Sequence, residues 1–391
     1  MFLTKEEEKI LAGEEGLAAQ KSMEILVALG EIFGAERMID ISSVQVAGVS
    51  YHNLGEAGLE FLEDLAKDGK VKVLTTLNPA GMDLENWRNL GIPSDFAEKQ
   101  ERVINAFKKL GIITTCTCTP YLIGNLPRFG EHIAWSESSA VTFANSVLGA
   151  KTNKEGGPSA LASAITGKTP YYGFHLDKNR EPEIVVNVKK EPKSEMEFGA
   201  LALAIGKMVG KKIPLIKGIK KASVDDLKSF CASFATYSST IMFHMEGITP
   251  NKFKANPKET IEITSKDVED AIRFLNDEGD VDFVFIGCPH CSLAEIEKIS
   301  KLLKGKKVKK ETWICTARPT KKIADAMGYT KIIEDSGAKF ACDTCLAVAP
   351  LKGRFKVIAT NSAKGCYYGR GSNAFKTKFM TLEKCIEEAL K

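Results

Sequence analysis

The chain has 391 residues, 44% of them hydrophobic and 27% charged, and its formal net charge at pH 7 is +4. A chain of this length exceeds what a single hydrophobic core usually organises, so we expect two or three α/β lobes. The weak positive charge comes from lysines mixed with glutamates, which is typical of a solvated face and argues against nucleic acid as a partner.

The amino terminus carries no basic region followed by an apolar core, and no later segment approaches the length of a membrane span. We therefore expect a cytoplasmic protein that does not engage a membrane. In such a protein, ten cysteines are expected to be reduced thiols, metal ligands or core residues rather than a disulfide framework. Cys231 and Cys385 lie in helical apolar patterns and are predicted to be core residues.

The first part of the chain alternates predicted helices and strands. Thr4 and Glu7 predict a capping box for a first helix, and a longer amphipathic helix follows over 17–33. The pattern then predicts, in chain order, a strand over 40–47, the turn Gly48-Val49-Ser50, a helix over 58–67, a strand over 71–77, the turn Asn78-Pro79 and a helix over 96–109. This repeated spacing favours parallel pairing, with both turns at strand ends.

The segment from Gly124 to Pro170 is rich in Gly, Ser and Asn, a composition that predicts loops and helix starts lining a site. Two polar, proline-containing stretches, 177–182 and 249–257, are the best candidates for boundaries between lobes. We expect, in order, an N-terminal α/β lobe over 1–110, a central lobe with the loop-rich segment over 111–255 and a C-terminal parallel α/β lobe over 256–391.

The last lobe has the clearest pattern. It predicts, in order, a strand at 283–286, a helix at 293–303, a strand at 312–316, a helix at 321–327 and strands at 339–341 and 357–360. Right-handed crossovers would wind these strands into a parallel sheet. The expected fold is therefore α/β, with several αβα lobes built on mostly parallel sheets and an active site at the carboxyl ends of strands.

Four predicted strands end on residues that bind ligands well. The strands over 112–115, 283–286, 339–341 and 357–360 run, in that order, into Cys116-Thr117-Cys118, Gly287-Cys288-Pro289-His290-Cys291, Cys342-Asp343-Thr344-Cys345 and Asn361-Ser362-Ala363-Lys364. The carboxyl ends of parallel strands form one rim, so cysteines far apart in sequence can meet there. Three thiolates with a lysine and hydroxyls nearby indicate an iron-sulfur cluster and a small anionic substrate. Three thiolates leave one iron without a protein ligand, free to act as a Lewis acid in a dehydration.

Two other interpretations of the cysteines are open. Cys288 and Cys291, between a strand and a helix, resemble a thioredoxin-like dithiol in which the helix start lowers the pKa of the first thiol. The two CxxC pairs also suggest a structural zinc, although the roughly fifty residues between Cys291 and Cys342 exceed the usual spacing. The spacing alone does not choose between the paired cysteines as cluster ligands.

Seven short stretches carry a more specific signal than the CxxC pairs. They are CTPY (118–121), GEHIAWSES (130–138), FANSVLGA (143–150), GGPSA (156–160), GCPH (287–290), DTC (343–345) and NSAK (361–364). With these stretches the chain, over essentially its whole length, resembles the large subunit of the aconitase X family, and within it the archaeal phosphomevalonate dehydratase branch.

The resemblance implies an aconitase-like fold and a 4Fe-4S cluster with one open iron, held by Cys118, Cys288 and Cys345. It also implies that (R)-5-phosphomevalonate loses water to give trans-anhydromevalonate 5-phosphate, in an archaeal mevalonate route to isoprenoids. Dehydration of cis-3-hydroxy-L-proline, the reaction of bacterial relatives, is the alternative within the family. A dithiol oxidoreductase centred on Cys288 and Cys291 is the alternative from another class.

The resemblance further implies a set of residues that contact the substrate. These are Gly48, Val49, Ser50, Asn78, Pro79, Glu137, Ser138, Ser139 and Lys364. The two turns would hold anionic oxygens through backbone N–H groups and a hydroxyl, and the lysine would supply a point charge for carboxylate or phosphate. Histidine in general titrates near neutrality, which makes His132 and His290 candidate acid-base groups, but each lies where it can equally orient a loop, so we assign neither a catalytic role.

The resemblance also implies a partner. Aconitase relatives close their site with a mobile swivelling domain that brings a serine alkoxide as the base, and after Lys364 this chain shows no obvious module beyond a terminal helix. A heterodimer with a small swivel-domain subunit is therefore expected, and the catalytic base would come from that subunit. We expect the chain alone to bind a cluster and to turn over little or nothing.

Overall fold

The part of the chain from Lys5 to Pro170 is built on a three-stranded parallel sheet, in a computed structural model that describes residues 1–391. Its elements are α1 (Lys5–Leu11), α2 (Leu17–Ile32), β1 (Met38–Asp40), β2 (Ser43–Val46), α3 (Tyr51–Leu65), β3 (Leu74–Leu77), α4 (Ser94–Lys109), β4 (Ala134–Trp135), α5 (Ser138–Phe143), α6 (Gly157–Thr166) and β5 (Lys168–Pro170). The strand order is β3-β2-β4, and all four residues of β2 are buried, as expected for a parallel strand covered on both faces.

The middle of the chain forms a second sheet, of four parallel strands in the order β8-β7-β6-β9. Its elements are β6 (Ile184–Val188), α7 (Glu195–Val209), β7 (Pro214–Lys217), α8 (Val224–Tyr237), β8 (His244–Met245), β9 (Thr260–Ile263) and α9 (Ser265–Phe274). Helices α7 and α8 pack against each other. The sequence pattern does not predict this sheet, because β8 has only two residues and β9 follows a polar stretch.

The third sheet has five parallel strands in the order β12-β11-β10-β13-β14. Its elements are β10 (Phe283–Cys291), α10 (Leu293–Leu303), β11 (Glu311–Thr316), α11 (Arg318–Ala326), α12 (Tyr329–Asp335), β12 (Lys339–Cys342), β13 (Val357–Thr360), α13 (Ala363–Gly371), β14 (Lys376–Phe379) and α14 (Leu382–Leu390). The parallel sheet predicted for this part is confirmed, and β14 adds an edge strand to it. The mixed α/β fold with mostly parallel sheets is also confirmed.

Several local predictions are confirmed as well. The Thr4 hydroxyl accepts from the backbone N–H of Glu7, and the Glu7 carboxylate accepts from the N–H of Thr4 at 2.8 Å, which completes the capping box of α1. The helix predicted over 17–33 is α2. Cys231 and Cys385 are fully buried in α8 and α14, where the helical apolar pattern places them.

Two predicted strands differ from the structure. The run over 40–47 divides into β1 and β2, because β1 pairs antiparallel with β5 while β2 joins the parallel sheet. The run over 112–115 forms only a single bridge, between Ile113 and Thr76. Cys116 has a φ of +44°, a left-handed conformation that turns the chain and prevents a longer strand.

The buried apolar side chains form several clusters around the three sheets. One cluster runs from Ile10 to Ile165 and surrounds the first sheet, and another surrounds the middle sheet. The division into lobes at residues 110 and 255 stays a prediction. None of the helices combines the length and the apolar character that crossing a membrane requires.

Candidate active site

The ends of strands from the first and third sheets surround one cavity of about 330 Å³. Most of the residues predicted for the site line it, namely Gly48, Asn78, Pro79, Cys118, Glu137, Ser138, Ser139, Cys288, Cys345 and Lys364. Val49 and Ser50 do not. Val49 is packed in the core of the first sheet, and the Ser50 hydroxyl donates to the carbonyl of Val348 at 3.0 Å.

The three cavity cysteines come from two sheets. Cys118 follows Thr117, whose N–H donates to the carbonyl of Leu77 in β3 at 2.9 Å. Cys288 lies within β10, and Cys345 follows the end of β12. Burial raises the pKa of all three thiols, and repulsion from neighbouring thiolates adds to that effect at Cys118 and Cys345.

This donor set fits an iron-sulfur cluster. Cys118 and Cys288 are partly exposed to the cavity. Burial and the charge of Cys288 raise the pKa of the Cys345 thiol to about 12. Thiolates that destabilise one another in this way are stabilised by the positive charge of a metal centre. No three His, Cys, Asp or Glu side chains in the chain are arranged to hold a single metal ion.

In each motif the other cysteine is packed away from the cavity. Cys116 is fully buried in the core of the first sheet. Cys291 and Cys342 belong to one apolar cluster of the third sheet, whereas Cys288 and Cys345 pack on a different one. The four cysteines of the CxxC pairs therefore do not face a common point, which counts against the structural zinc.

The local geometry also counts against a thioredoxin-like dithiol. Such a site requires a first thiol at a helix start, with a lowered pKa. Here α10 begins at Leu293 with Ser292 as its cap, and Cys288 lies inside the preceding strand. Burial raises the pKa of Cys288 and, more strongly, that of Cys291.

Lys364 and Glu137 form a buried ion pair in the wall of the cavity. The Lys364 ammonium donates to a carboxylate oxygen of Glu137, to the Ser139 hydroxyl at 2.6 Å and to the Ser138 hydroxyl at 3.3 Å. Glu137 also caps α5 by accepting from the N–H of Ala140 at 2.7 Å. Burial opposes both charges, but their attraction outweighs it, lowering the pKa of Glu137 and raising that of Lys364.

Further residues line the cavity without a role in the sequence analysis, among them Asn53, Lys154 and Tyr368. Lys154 lies in the loop-rich segment predicted to line a site. Its ammonium group takes part in none of the ion pairs of the chain, whereas the nearby Lys151 pairs with Asp177 at 2.6 Å. Tyr368 lies one helical turn after Lys364 in α13, so helical spacing from that lysine is a signal for it.

Asn78 carries a second indication of a polar ligand. The side chain lines the cavity, and its amide oxygen is buried without a hydrogen-bond partner. A buried acceptor without a partner is costly and rare in folded proteins. A hydroxyl or other donor on a bound molecule would satisfy it.

The turn that carries Cys345 is held from behind the cavity. Asp343 has a φ of +62°, and its carboxylate accepts from the guanidinium Nε of Arg318 at 2.8 Å. Arg318 also binds Asp83 at 2.5 Å, and Asp83 in turn accepts from the N–H of Cys342 at 2.8 Å. The members of this network are far apart in the chain and share no local pattern, so no sequence motif predicts it.

The two histidines noted in the sequence lie outside the cavity lining. His290 is fully buried, and burial lowers its pKa to about 4. Its ring bonds to the Thr117 hydroxyl at 3.0 Å and to the Thr344 carbonyl at 2.9 Å. His132 pairs with His175, with 3.0 Å between their Nδ1 atoms. Each ring therefore contacts a neighbouring loop rather than the cavity.

Gly287 sets the approach of Cys288 to the neighbouring strand, and its replacement by alanine is expected to be disruptive. Its φ is +111°, and an added Cβ would lie 2.2 Å from the carbonyl oxygen of Cys315. We expect Gly287→Ala to lower the free energy of unfolding by about 2–4 kcal/mol. Denaturant titration measures this loss.

Gly305→Ala is the matched control, because Gly305 has a φ of +73° with nothing within 4 Å of an added Cβ. Backbone strain alone is expected to cost this variant about 1 kcal/mol. Equal losses in the two variants would show that the close approach to Cys315 has no energetic weight.

Comparison with known proteins gives a consistent result. Three family models match successive parts of the chain, described as the first, second and third domains of aconitase X, over residues 1–178, 182–273 and 281–391. A crystal structure of Thermococcus kodakaraensis aconitase X in its holo-form is similar, with a TM-score of 0.93, 47% sequence identity and full coverage of both chains.

Two archaeal relatives named phosphomevalonate dehydratase large subunit are similar to the chain. That of Methanocaldococcus jannaschii is 52% identical over 94% of this chain and 95% of its own length. That of Thermococcus kodakarensis is 49% identical over the full length of both. A cis-3-hydroxy-L-proline dehydratase of Hypocrea jecorina is 35% identical over 99% of this chain and 68% of its own length.

Proposed function

Since the chain belongs to the aconitase X family, we propose that it is the catalytic large subunit of a hydro-lyase that dehydrates (R)-5-phosphomevalonate to trans-anhydromevalonate 5-phosphate. The observation that carries the proposal is the cavity in which three thiols, a buried lysine and a free lysine meet. The higher identity to phosphomevalonate dehydratases than to the hydroxyproline dehydratase favours this substrate over the alternative. The reaction would belong to an archaeal mevalonate route to isoprenoids.

We propose that Cys118, Cys288 and Cys345 hold a 4Fe-4S cluster. When bound by three protein thiolates, such a cluster supplies one iron that can accept the departing hydroxyl and a carboxylate oxygen as a Lewis acid. The pairwise segregation of the cysteines supports this assignment, because one cysteine of each motif lines the cavity and the other lies in an apolar cluster.

The other cavity residues would bind and orient the substrate. Lys364 offers a positive charge held in place by Glu137 and two serine hydroxyls. Lys364 can still donate to one anionic group of the substrate. The Lys364–Glu137 pair has no net charge, however, so it does not neutralise a phosphate dianion as well. Lys154 has no carboxylate partner and would bind the phosphate, while Asn78 would accept from a substrate hydroxyl.

The proton beside the substrate carboxylate requires a base, and we propose that a small swivel-domain subunit brings it. Glu137 is the only carboxylate or imidazole among the residues that line the cavity. Its pairing with Lys364 lowers its pKa, which makes it a weak base. The name of the archaeal relatives, large subunit, supports the existence of a small-subunit partner.

An anaerobic assay tests the proposed function. The reconstituted chain is incubated with phosphomevalonate or with cis-3-hydroxy-L-proline, each with and without the small subunit, and dehydration is followed by mass spectrometry. We expect turnover only of phosphomevalonate and only with the small subunit. Turnover of hydroxyproline instead, or a colourless protein with a titratable disulfide, would overturn the proposal.

Lys154 provides a test of the phosphate assignment. Replacing it with glutamine removes a charged hydrogen bond, so we expect KM for phosphomevalonate to rise about 10- to 100-fold with kcat nearly unchanged. Steady-state kinetics of the complex measure this. Lys151→Gln is the control, since Lys151 lies outside the cavity and pairs with Asp177. An equal rise of KM in both variants would place the phosphate elsewhere.

A further inference from the structure

His290 contacts the chain beside each of the three cavity cysteines. It lies two residues after Cys288, and its backbone N–H donates to the Sγ of Cys118 at 3.2 Å. Its ring bonds to Thr117, which precedes Cys118, and to the carbonyl of Thr344, which precedes Cys345. Segments that are far apart in the sequence are thus joined by one side chain.

The hydrogen bonds of the ring are mutually consistent. A carbonyl oxygen only accepts, so Nε2 carries the hydrogen that is donated to Thr344. The other nitrogen, Nδ1, then accepts from the Thr117 hydroxyl. That hydroxyl oxygen accepts in turn from the N–H of Thr119 at 3.2 Å. A neutral imidazole in this single tautomer satisfies every partner.

The middle part of the chain reaches the same residue. The buried ammonium of Lys228, in α8, donates to the carbonyl of His290 at 3.2 Å and pairs with the carboxylate of Glu295. The cluster around His290 therefore contains residues from all three matched family domains. Its ring is fully buried, so the contacts are not exchanged with water.

We propose that His290 is a positioning residue that holds the three cysteine segments in register and thereby limits the rate at which the cluster is lost. This inference rests on the proposed cluster. The ring does not line the cavity, so its effect is on the geometry of the thiols rather than on the substrate. Groups that orient metal ligands in this way typically change metal affinity by about 10- to 100-fold when they are removed.

Two conservative variants separate the contacts of the ring. In His290→Gln the side-chain amide can reach the position of Nε2 and keep the bond to Thr344, whereas in His290→Asn it can reach the position of Nδ1 and keep the bond to Thr117. Thr117→Val removes the partner of Nδ1 without changing its shape. His244→Gln is the control, because His244 is also buried but bonds to the carbonyl of Arg180 in the middle of the chain.

The measurement is the rate at which a chelator removes iron from the anaerobically reconstituted proteins, with the electron paramagnetic resonance spectrum of the one-electron-reduced cluster as a second readout. We expect iron release about 10- to 100-fold faster in His290→Gln and His290→Asn, with an altered spectrum. Thr117→Val should add little to His290→Gln, because both remove the same bond. His244→Gln should release iron at the wild-type rate.

The possible results separate this inference from the proposed function. If the wild-type protein is loaded and both His290 variants release iron at its rate with its spectrum, the positioning role is wrong and the cluster stands. If His244→Gln accelerates release as much as they do, general destabilisation explains the effect and the inference fails. If the wild-type protein takes up no iron and sulfide, the proposed cluster fails and the inference with it.

Discussion

Replacing any one of Cys118, Cys288 and Cys345 with alanine is expected to remove most of the bound iron and to lower dehydration by at least about 100-fold. Even groups that only orient ligands contribute about 10- to 100-fold to metal affinity or activity, so loss of a ligand exceeds that range. Iron and sulfide analysis of anaerobically purified protein measures the first effect, and assay with the small subunit measures the second.

Cys291→Ala is the matched control, because Cys291 shares a motif with Cys288 but is packed in an apolar cluster. Loss of the Cys291 sulfur atom leaves a small void, which is expected to cost about 1 kcal/mol of stability without loss of iron. Iron retained by Cys288→Ala and lost by Cys291→Ala would reverse the assignment within this motif.

Replacing Lys364 with methionine is expected to abolish turnover and to destabilise the protein by about 3–5 kcal/mol, because it leaves the buried carboxylate of Glu137 without its partner. The side chains of Lys364 and Glu137 are only 9% and 7% exposed, so water does not replace the lost interaction. The midpoint of denaturation reports the loss of stability, and the assay with the small subunit reports turnover.

The double variant Lys364→Met with Glu137→Gln separates stability from function. It contains no unpaired charge, so we expect most of the lost stability to return while the activity stays absent. Lys189→Met is a control for an exposed pair outside the cavity: Lys189 and Glu262 are 51% and 57% exposed, and a cost of no more than about 1 kcal/mol is expected. Recovery of activity in the double variant would remove Lys364 from the substrate site.

The sequence predicts the third sheet well because each of its inner strands is an apolar run followed by a distinct helix. The first sheet is harder, since the single bridge at Ile113 and the pairing of β1 with β5 depend on contacts distant in sequence. A run such as 112–115 has strand propensity, but the left-handed Cys116 ends it. Tertiary contacts override propensity at such positions.

The site shows the same limit. Alternation along a strand cannot predict that Cys288 lines the cavity while Cys291 packs in the core, because the register of β10 shifts between Ile286 and Cys291. Ser50 has the composition of an anion-binding turn, yet its hydroxyl is bound to the carbonyl of Val348. Lys154, in contrast, lies in the segment rich in Gly, Ser and Asn, whose composition predicts that it lines a site.

The three thiols come from two different sheets, and this has a consequence for inactivation of the protein by oxygen. Cys118 is fixed to the first sheet, and Cys288 and Cys345 are fixed to the third. Any motion that widens the gap between those sheets would strain the proposed cluster before either sheet unfolds. Exposure to oxygen should therefore inactivate the protein at temperatures well below its melting point, and a ligand that bridges the gap should slow that decay.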